Sequence, residues 1–298
     1  MTTFSHLLYQ FYLEKPEQVA VCLAHAGRPD TLMTYHQLVQ GATAYAQALE
    51  QHGIRPGEVV VLILQHGRDL ISSFFGTVLH GAVPSIMPFL TEKLLPERYR
   101  ADLALLVAIT QPAAIVTYPE FEAEVRAALR PGDSVRAVIV SNRVESLSEP
   151  NFDSLDGLRR LPKDIALLQH SSGTTGLQKG VALSHQAVLN QLKSYSRAIR
   201  LVPKDVIVSW LPLYHDMGLI AGFIMPILLG VPLVLLSPFD WVRAPYRLMQ
   251  AVSQYRGTLS WLPNFAYNFC ARKIRDRDLE NVDLSCWRAI VNCSEPMR

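Results

Sequence analysis

Residues 170–180 read His-Ser-Ser-Gly-Thr-Thr-Gly-Leu-Gln-Lys-Gly, and the chemistry of the chain concentrates in this string. Gly173 and Gly176 free the backbone, Ser171, Ser172, Thr174 and Thr175 bring hydroxyls, and Lys179 brings a positive charge. Exposed N–H groups, hydroxyls and an ammonium group suit a phosphate, and a charge-assisted hydrogen bond of this kind contributes about 1.5–3 kcal/mol. The string is not a Walker A loop, G-x-x-x-x-G-K-[ST], because only Thr174 and Thr175 separate its glycines and Gly180 follows the lysine. It is not G-x-G-x-x-G either. The bland alternative is a solvated loop without a ligand. Two glycines and a lysine inside a strand–loop–helix frame favour the anion.

Other chemistry-bearing residues follow strands. His215 stands next to Asp216; a neutral imidazole donates to a carboxylate or phosphate, and Asp216 is placed to orient it. Met217 and Gly218 open an apolar run that is either core or the lining of an acyl tunnel. Asn264, Phe265 and Tyr267 begin a helix, where they either cap and pack or face a pocket. Asn292, Ser294, Glu295 and Pro296 follow the last strand and make either a plain turn or a ligand contact at a strand end. Arg272, Lys273, Arg275 and Arg277 read as a solvated face.

The elements that must hold these residues alternate. Phe4, Leu7, Leu8 and Phe11 repeat at helical spacing, and Thr34 with Gln37 gives a capping-box signal for a helix carrying Leu38, Ala42, Tyr45 and Leu49. Strands are expected at 59–64, 83–87, 114–116, 137–140, 165–168, 206–210, 258–261 and 289–291. Helices are expected at 68–80, 98–109, 120–129, 185–200, 245–255 and 264–273. Unbroken apolar strands between helices mean an α/β fold with two mostly parallel, helix-covered sheets. Polar residues from Ser141 to Arg160 read as a linker, dividing the chain into residues 1–160 and 161–298. The chain stops at Arg298 just after a strand, where a functional loop is expected to continue.

Composition narrows the classes. A 298-residue chain that is 49% hydrophobic and 18% charged has ample core and is not disordered. A net charge of +2 without a Lys/Arg run gives no nucleic-acid surface. Cys22, Cys270, Cys286 and Cys293 form no C-x-x-C pair, so reduced cytoplasmic thiols are expected rather than zinc or disulfides. No signal peptide opens the chain. Residues 217–239 carry no formal charge except Asp240 just beyond them, yet Gly222, Pro226, Gly230 and Pro232 break the run, so helix–turn–strand is expected instead of a membrane span.

The string from Ser171 to Gly180 resembles the core motif of the adenylate-forming superfamily, which comprises acyl-CoA synthetases, nonribosomal peptide synthetase adenylation domains and luciferase. Gln178 stands where that motif usually has proline. Residues 32–38 and 53–60 are similar to early signatures of the same superfamily. Residues 210–220 (Trp-Leu-Pro-Leu-Tyr-His-Asp-Met-Gly-Leu-Ile), 263–267 and 283–296 look most like fatty acyl-AMP ligases, with Cys293-Ser294 replacing a usual Gly-Ala. The resemblance implies the larger N-terminal part of an adenylate-forming enzyme. It implies ATP and Mg²⁺, a fatty acid, and an acyl carrier protein or a polyketide or nonribosomal synthetase module as acceptor. It gives Lys179 and His215 catalytic roles, the 171–179 loop to phosphate, the turn at Asn292–Pro296 to adenine, and Met217, Gly218, Asn264, Phe265 and Tyr267 to the acyl pocket. An acidic metal-holding residue and a mobile domain with a catalytic lysine would lie past Arg298, so weak nucleotide binding and negligible turnover are expected of these 298 residues alone. A long-chain acyl-CoA synthetase and an inactive nucleotide-binding fragment are the alternatives.

Overall fold

The computed structural model describes residues 2–89, 95–147, 149–170 and 180–293. In chain order its elements are α1 (Phe4–Glu14), β1 (Val19–Ala24), β2 (Thr31–Thr34), α2 (Tyr35–Gln51), β3 (Val59–Ile63), α3 (Arg68–His80), β4 (Val83–Ile86), α4 (Pro96–Thr110), β5 (Ala114–Thr117), α5 (Glu122–Ala128) and β6 (Ala137–Val140). There follow β7 (Ile165–His170), β8 (Gly180–Ser184), α6 (His185–Ala198), β9 (Ile207–Ser209), α7 (Asp216–Leu219), α8 (Met225–Leu229), β10 (Leu233–Leu236), α9 (Pro238–Arg243), α10 (Tyr246–Tyr255), β11 (Leu259–Pro263), α11 (Asn264–Lys273) and β12 (Ala289–Cys293). The expected α/β alternation is present. Three strands and one helix are additional to it: β1, β2, β8 and α9.

The chain forms two compact units. One holds residues 1–14 and 36–189, the other residues 15–35 and 190–298. The chain thus passes between units at 14/15, 35/36 and 189/190, rather than once at 160/161. The reason lies in strand pairing. β1 lies parallel to β10, with Val21 opposite Leu233 and Ala24 opposite Leu236, so residues 15–35 belong with a strand more than 200 positions later. Residues 141–160, expected as a linker, stay inside the first unit as short 3₁₀ turns.

The first unit is built on a parallel sheet in the order β4-β3-β5-β6. β3 is apolar on both faces because both are covered: on one, Val61 and Ile63, with Ile115 of β5, meet Leu103, Val107, Phe121 and Val125; on the other, Val60 and Leu62 are fully buried. Burying each such side chain stabilises the fold by roughly 1.5–3 kcal/mol. α3 is buried nearly along its length, and Gly76 shows how close α2 comes to it. A Cβ at Gly76 would run into the Ala42 carbonyl oxygen and lie 2.6 Å from Tyr45 Cβ.

β7 and β8 form a separate antiparallel pair in the same unit. α6 begins immediately after β8. Its first residue, His185, is buried: its Nδ1 accepts the Phe4 N–H at 3.3 Å, and the two rings meet edge-on with centroids 4.9 Å apart. Burial, with help from Arg160, pushes its pKa down from 6.5 to about 4.

The second unit carries a six-stranded sheet in the order β12-β11-β9-β10-β1-β2, antiparallel only between β1 and β2. The apolar run at 217–239 is α7, a π-helical turn (Ile220–Ile224), α8 ending at Gly230, and β10. Among the described residues no helix is long and apolar enough to cross a membrane.

Two predictions follow from the packing of the first unit. Gly76→Ala should destabilise it by about 1–3 kcal/mol through overpacking of α2 on α3, read as a lower urea midpoint at unchanged m-value. His185 is neutral when folded and takes a proton near pH 6.5 when unfolded, so its contribution is whole above that pH and is lost as pH falls toward the folded value. That loss should be about 2 kcal/mol between about pH 7 and pH 5. The His185→Gln variant should flatten the pH dependence of urea stability by that amount; an unchanged slope would exclude His185 as its source.

Candidate functional site

One buried carboxylate organises the amino ends of the strands in the second unit. The Asp205 side chain is 2% exposed. Its Oδ2 accepts the Val202 N–H at 2.8 Å and Arg288 Nη2 at 2.7 Å; its Oδ1 accepts Arg288 Nε at 2.9 Å and the Thr258 hydroxyl at 2.7 Å. Arg288 also donates to the carbonyls of Ile199 and Arg200, just past the end of α6. Burial raises the Asp205 pKa, but the bonds from Arg288, Val202 and Thr258 outweigh it and hold the carboxyl below its ordinary value. Asp205 precedes β9, Thr258 precedes β11 and Arg288 precedes β12, so one cluster starts three parallel strands together.

Strands that start together and run parallel deliver their exits to the same edge of the sheet. Among the described residues, those that leave the sheet at its carboxyl edge are Trp210 after β9, Ser237 after β10 and Asn264 after β11. β9 is the turning point of the topology. The chain goes from β9 to β10 on one side, then returns to β11 on the other. Ligand crevices in open α/β sheets lie at such points. Here β9 and β11 share only the register pair Leu259↔Ile207, against five pairs between β11 and β12. Beyond that pair the Ser260 hydroxyl, donating to the Val208 carbonyl at 2.8 Å, spans the two strands.

The expected site residues of this unit lie along that edge. His215 caps α7 in an extended conformation, its N–H donating to the Pro212 carbonyl at 3.2 Å and its carbonyl accepting from Leu219 at 2.8 Å. The ring is on the exposed side of the turn, 4.8 Å from the Tyr214 ring. Desolvation by the surrounding protein lowers its pKa despite that exposure, with Asp216 pulling the other way, so the neutral imidazole dominates at pH 7. Asp216 does not orient this imidazole: its Oδ1 accepts the Met217 N–H at 2.7 Å. Met217 is half-buried. Gly218 is buried, and a Cβ there would strike the Pro212 carbonyl oxygen and lie 3.1 Å from Leu211 Cβ. Packing of the turn therefore accounts for the glycine by itself. Next in line is the π-helical turn, a form frequent at functional sites.

Asn264 occupies the first position of α11 rather than its cap, which is Pro263. Phe265 is 52% exposed and Tyr267 half-buried. Asn292 is half-buried on β12 opposite Leu262. Sequence reasoning missed the aromatic group at this edge. Trp210 and Trp241 stack with centroids 3.5 Å apart and planes 9° from parallel. Phe265 stands edge-on to both at 6.4 and 6.3 Å, and Phe269 lies 5.3 Å from Trp241. The rings come from the exits of β9, β10 and β11. The missed signal was Pro238 at a helix start, which marks α9.

In the first unit, β7 and β8 fix both ends of the glycine-rich segment. His170 is paired with Gly180 across the antiparallel ladder, and His170 Nδ1 lies 3.1 Å from the Ser85 hydroxyl. The segment joins two strands, not a strand and a helix as expected. In chain order β8 intervenes before α6. Ser171, Ser172, Gly173, Thr174, Thr175, Gly176 and Lys179 themselves lie outside the described residues, as do Ser294, Glu295 and Pro296. Among the described residues, no three His, Cys, Asp or Glu side chains are grouped to hold a metal ion.

Mostly parallel sheets, one with its topological turning point at β9, and a glycine-rich segment between β7 and β8 make this an α/β protein, and superposition gives it the adenylate-forming fold. A fatty acyl-adenylate ligase from L. pneumophila, solved in complex with acyl adenylate and pyrophosphate, is 29% identical and superposes with a TM-score of 0.84 over 99% of this chain and 50% of its own. The probable long-chain-fatty-acid–AMP ligase FadD30 of Mycobacterium tuberculosis is 30% identical over 89% of this chain and 46% of its own length. The medium-chain-fatty-acid–[acyl-carrier-protein] ligase TtuA of Teredinibacter turnerae is 32% identical over 62% of this chain and 29% of its own. The AMP-binding enzyme family matches residues 10–298, and the chain belongs to that family. It spans half or less of the length of these three relatives.

The Asp205 cluster makes a prediction. Arg288→Met leaves a buried carboxylate without its cation and should cost about 3 kcal/mol in urea unfolding at neutral pH. Because the Asp205 pKa is depressed in the fold, its contribution is present above the ordinary carboxylate pKa and is lost as pH falls through the folded value. The gap between variant and parent should therefore close in acid; a gap independent of pH would count against the ion pair as its cause.

Proposed function

We propose that this chain provides the nucleotide- and acyl-binding part of an ATP-dependent fatty acyl-AMP ligase. The observation that carries the reading is the His215 turn, which leaves β9 at the carboxyl edge where the topology reverses. The relatives support it by their names: one is a fatty-acid–AMP ligase, one a fatty-acid–[acyl-carrier-protein] ligase, and the L. pneumophila enzyme was solved with acyl adenylate and pyrophosphate.

In this reading a carboxylate oxygen of the fatty acid attacks the α-phosphorus of ATP. The bond from that phosphorus to the bridging oxygen breaks, pyrophosphate leaves with the electron pair, and an acyl-adenylate remains. Charge gathers on the phosphate oxygens in the transition state. Donors fixed in advance stabilise it more than water does, because they need not reorganise. Lys179 and the hydroxyls and N–H groups of residues 171–176 take that role. His215, held neutral, donates a hydrogen bond to a carboxylate or phosphate oxygen and adds no charge. Asn292, Ser294, Glu295 and Pro296 take the adenine side, and Met217, Phe265, Tyr267 and Asn264 the acyl side. Gly218 serves that side by letting the turn close.

Mg²⁺ would enter with ATP and offset its phosphate charge; the described residues form no site for it, and no step assigned to this chain's side chains runs through it. The acyl-adenylate is then consumed by a thiol, with AMP leaving. A phosphopantetheine thiol on an acyl carrier protein fits the TtuA name. The reading also assigns the cytoplasm, where ATP is supplied and the free thiols Cys22, Cys270 and Cys286 stay reduced.

Calorimetric titration with ATP tests the phosphate role. Lys179→Ala should weaken ATP binding about 10- to 100-fold, the worth of one charge-assisted hydrogen bond. Equal affinity in parent and variant would remove Lys179 from the phosphate site. Titration with dodecanoic acid tests the acyl role, for which saturable binding is expected.

A further inference from the structure

The aromatic group at the carboxyl edge contains two donors with nothing to donate to. The indole N–H groups of Trp210 and Trp241 are both buried, and neither has an acceptor among the described residues. The other two tryptophans have one each: Trp261 donates to the Tyr195 hydroxyl at 2.6 Å and Trp287 to the Ser260 hydroxyl at 3.2 Å. Trp210 is 4% exposed and Trp241 is fully buried. Buried polar groups in folded proteins are almost always paired, and an unpaired one calls for a cause. Here two such donors lie on stacked rings at the exits of two neighbouring strands.

We propose that the Trp210–Trp241 pair recognises a neutral oxygen, a hydroxyl or carbonyl, carried on the chain of the acyl substrate away from its reacting carboxylate. This rests on the reading that the β9 exit takes an acyl group. Three observations point the same way. The surroundings are apolar: Phe265 and Phe269 flank the stack, and Phe265 is itself half exposed, which suits a hydrocarbon chain. The reacting carboxylate must meet the phosphate of ATP, and the exposed His215 turn, not the buried stack, is the polar end of this edge. A charged oxygen buried among four aromatic rings would need a counter-ion, whereas a hydroxyl or carbonyl needs only the donors already present. A site built to hydrogen-bond a substrate hydroxyl rejects the analogue that lacks it more strongly than an apolar site distinguishes one methylene.

The test compares affinities of dodecanoic, 3-hydroxydodecanoic and 12-hydroxydodecanoic acids for the same chain, by calorimetry and by tryptophan fluorescence. At least one hydroxylated acid should bind about tenfold more tightly than dodecanoic acid. That ratio should fall to near unity in Trp241→Phe and in Trp210→Phe, each of which removes one N–H and keeps an aromatic ring. Plain and hydroxylated acids binding within about twofold of each other in the parent chain would overturn the proposal, as a single trapped water would produce. So would a ratio that both variants leave unchanged. The parent comparison needs no substitution and stands even if a variant fails to fold. If none of the three acids binds, the acyl-binding reading itself falls, and this inference with it; equal binding of all three overturns the inference alone.

Discussion

Asp205 is the fixed point of the second unit. A carboxylate with 2% of its side chain exposed is stable only when every oxygen is engaged, and here four donors from three segments of chain engage it. Those segments are the starts of β9, β11 and β12. Parallel strands have no hairpin to fix their register, so something outside the ladder must do it. The bidentate Arg288 contact has directional geometry as well as charge, and a one-residue slip would break it. The shared exit edge of the strands, and with it the row of functional residues along it, depends on that common start.

The opposite edge trades regularity for access. β9 contributes three residues, its pairing with β11 stops after one register pair, and the helix that follows is interrupted by a π-helical turn. Each departure costs backbone hydrogen bonding that a regular sheet and helix would supply. The compensation is local. The Ser260 hydroxyl reaches the Val208 carbonyl, Asp216 takes the Met217 N–H, and the bare α-carbon of Gly218 accommodates the Pro212 carbonyl. The irregularity is confined to the residues between Trp210 and Ile224, and β9 and β10 are fully buried. A rigid base with an irregular rim is the arrangement that holds side chains in place while leaving room for a ligand.

What could be read from sequence follows the range of the interaction. α3, β6, α11 and β10 appear close to where periodicity and glycine or proline breaks put them, because their signals are local. The π-helical turn and Gly230 likewise reduce the apolar run at 217–239 to short pieces, as its breakers implied. β1 escaped although Val19–Ala24, at six residues, is as long as any described strand, because its place is set only by pairing with the distant β10. That same pairing moves residues 15–35 into the second unit, which no composition change announces. β8 escaped for a different reason. Gly180–Ser184 is largely exposed and carries no apolar alternation, so only its partner β7 makes it a strand. That pairing brings His170 and Gly180, the residues that bound the glycine-rich segment, opposite one another.

The tryptophans show where residue type stops being informative. All four are aromatic, mostly apolar and single donors, and from sequence each reads as core. Trp261 is core in the full sense, since burial satisfies ring and N–H together, and half-buried Trp287 also has its N–H paired. Trp210 and Trp241 are buried as well, but among the described residues their N–H groups have no acceptor, a cost of about 1–3 kcal/mol for each. Residues with an equal apolar surface and no donor would avoid that cost, so stability alone does not account for two indoles at this place. Function is thus visible less in which residues are buried than in which buried groups the fold leaves unanswered, and at this edge those groups lie among the exits of the strands that Asp205 aligns.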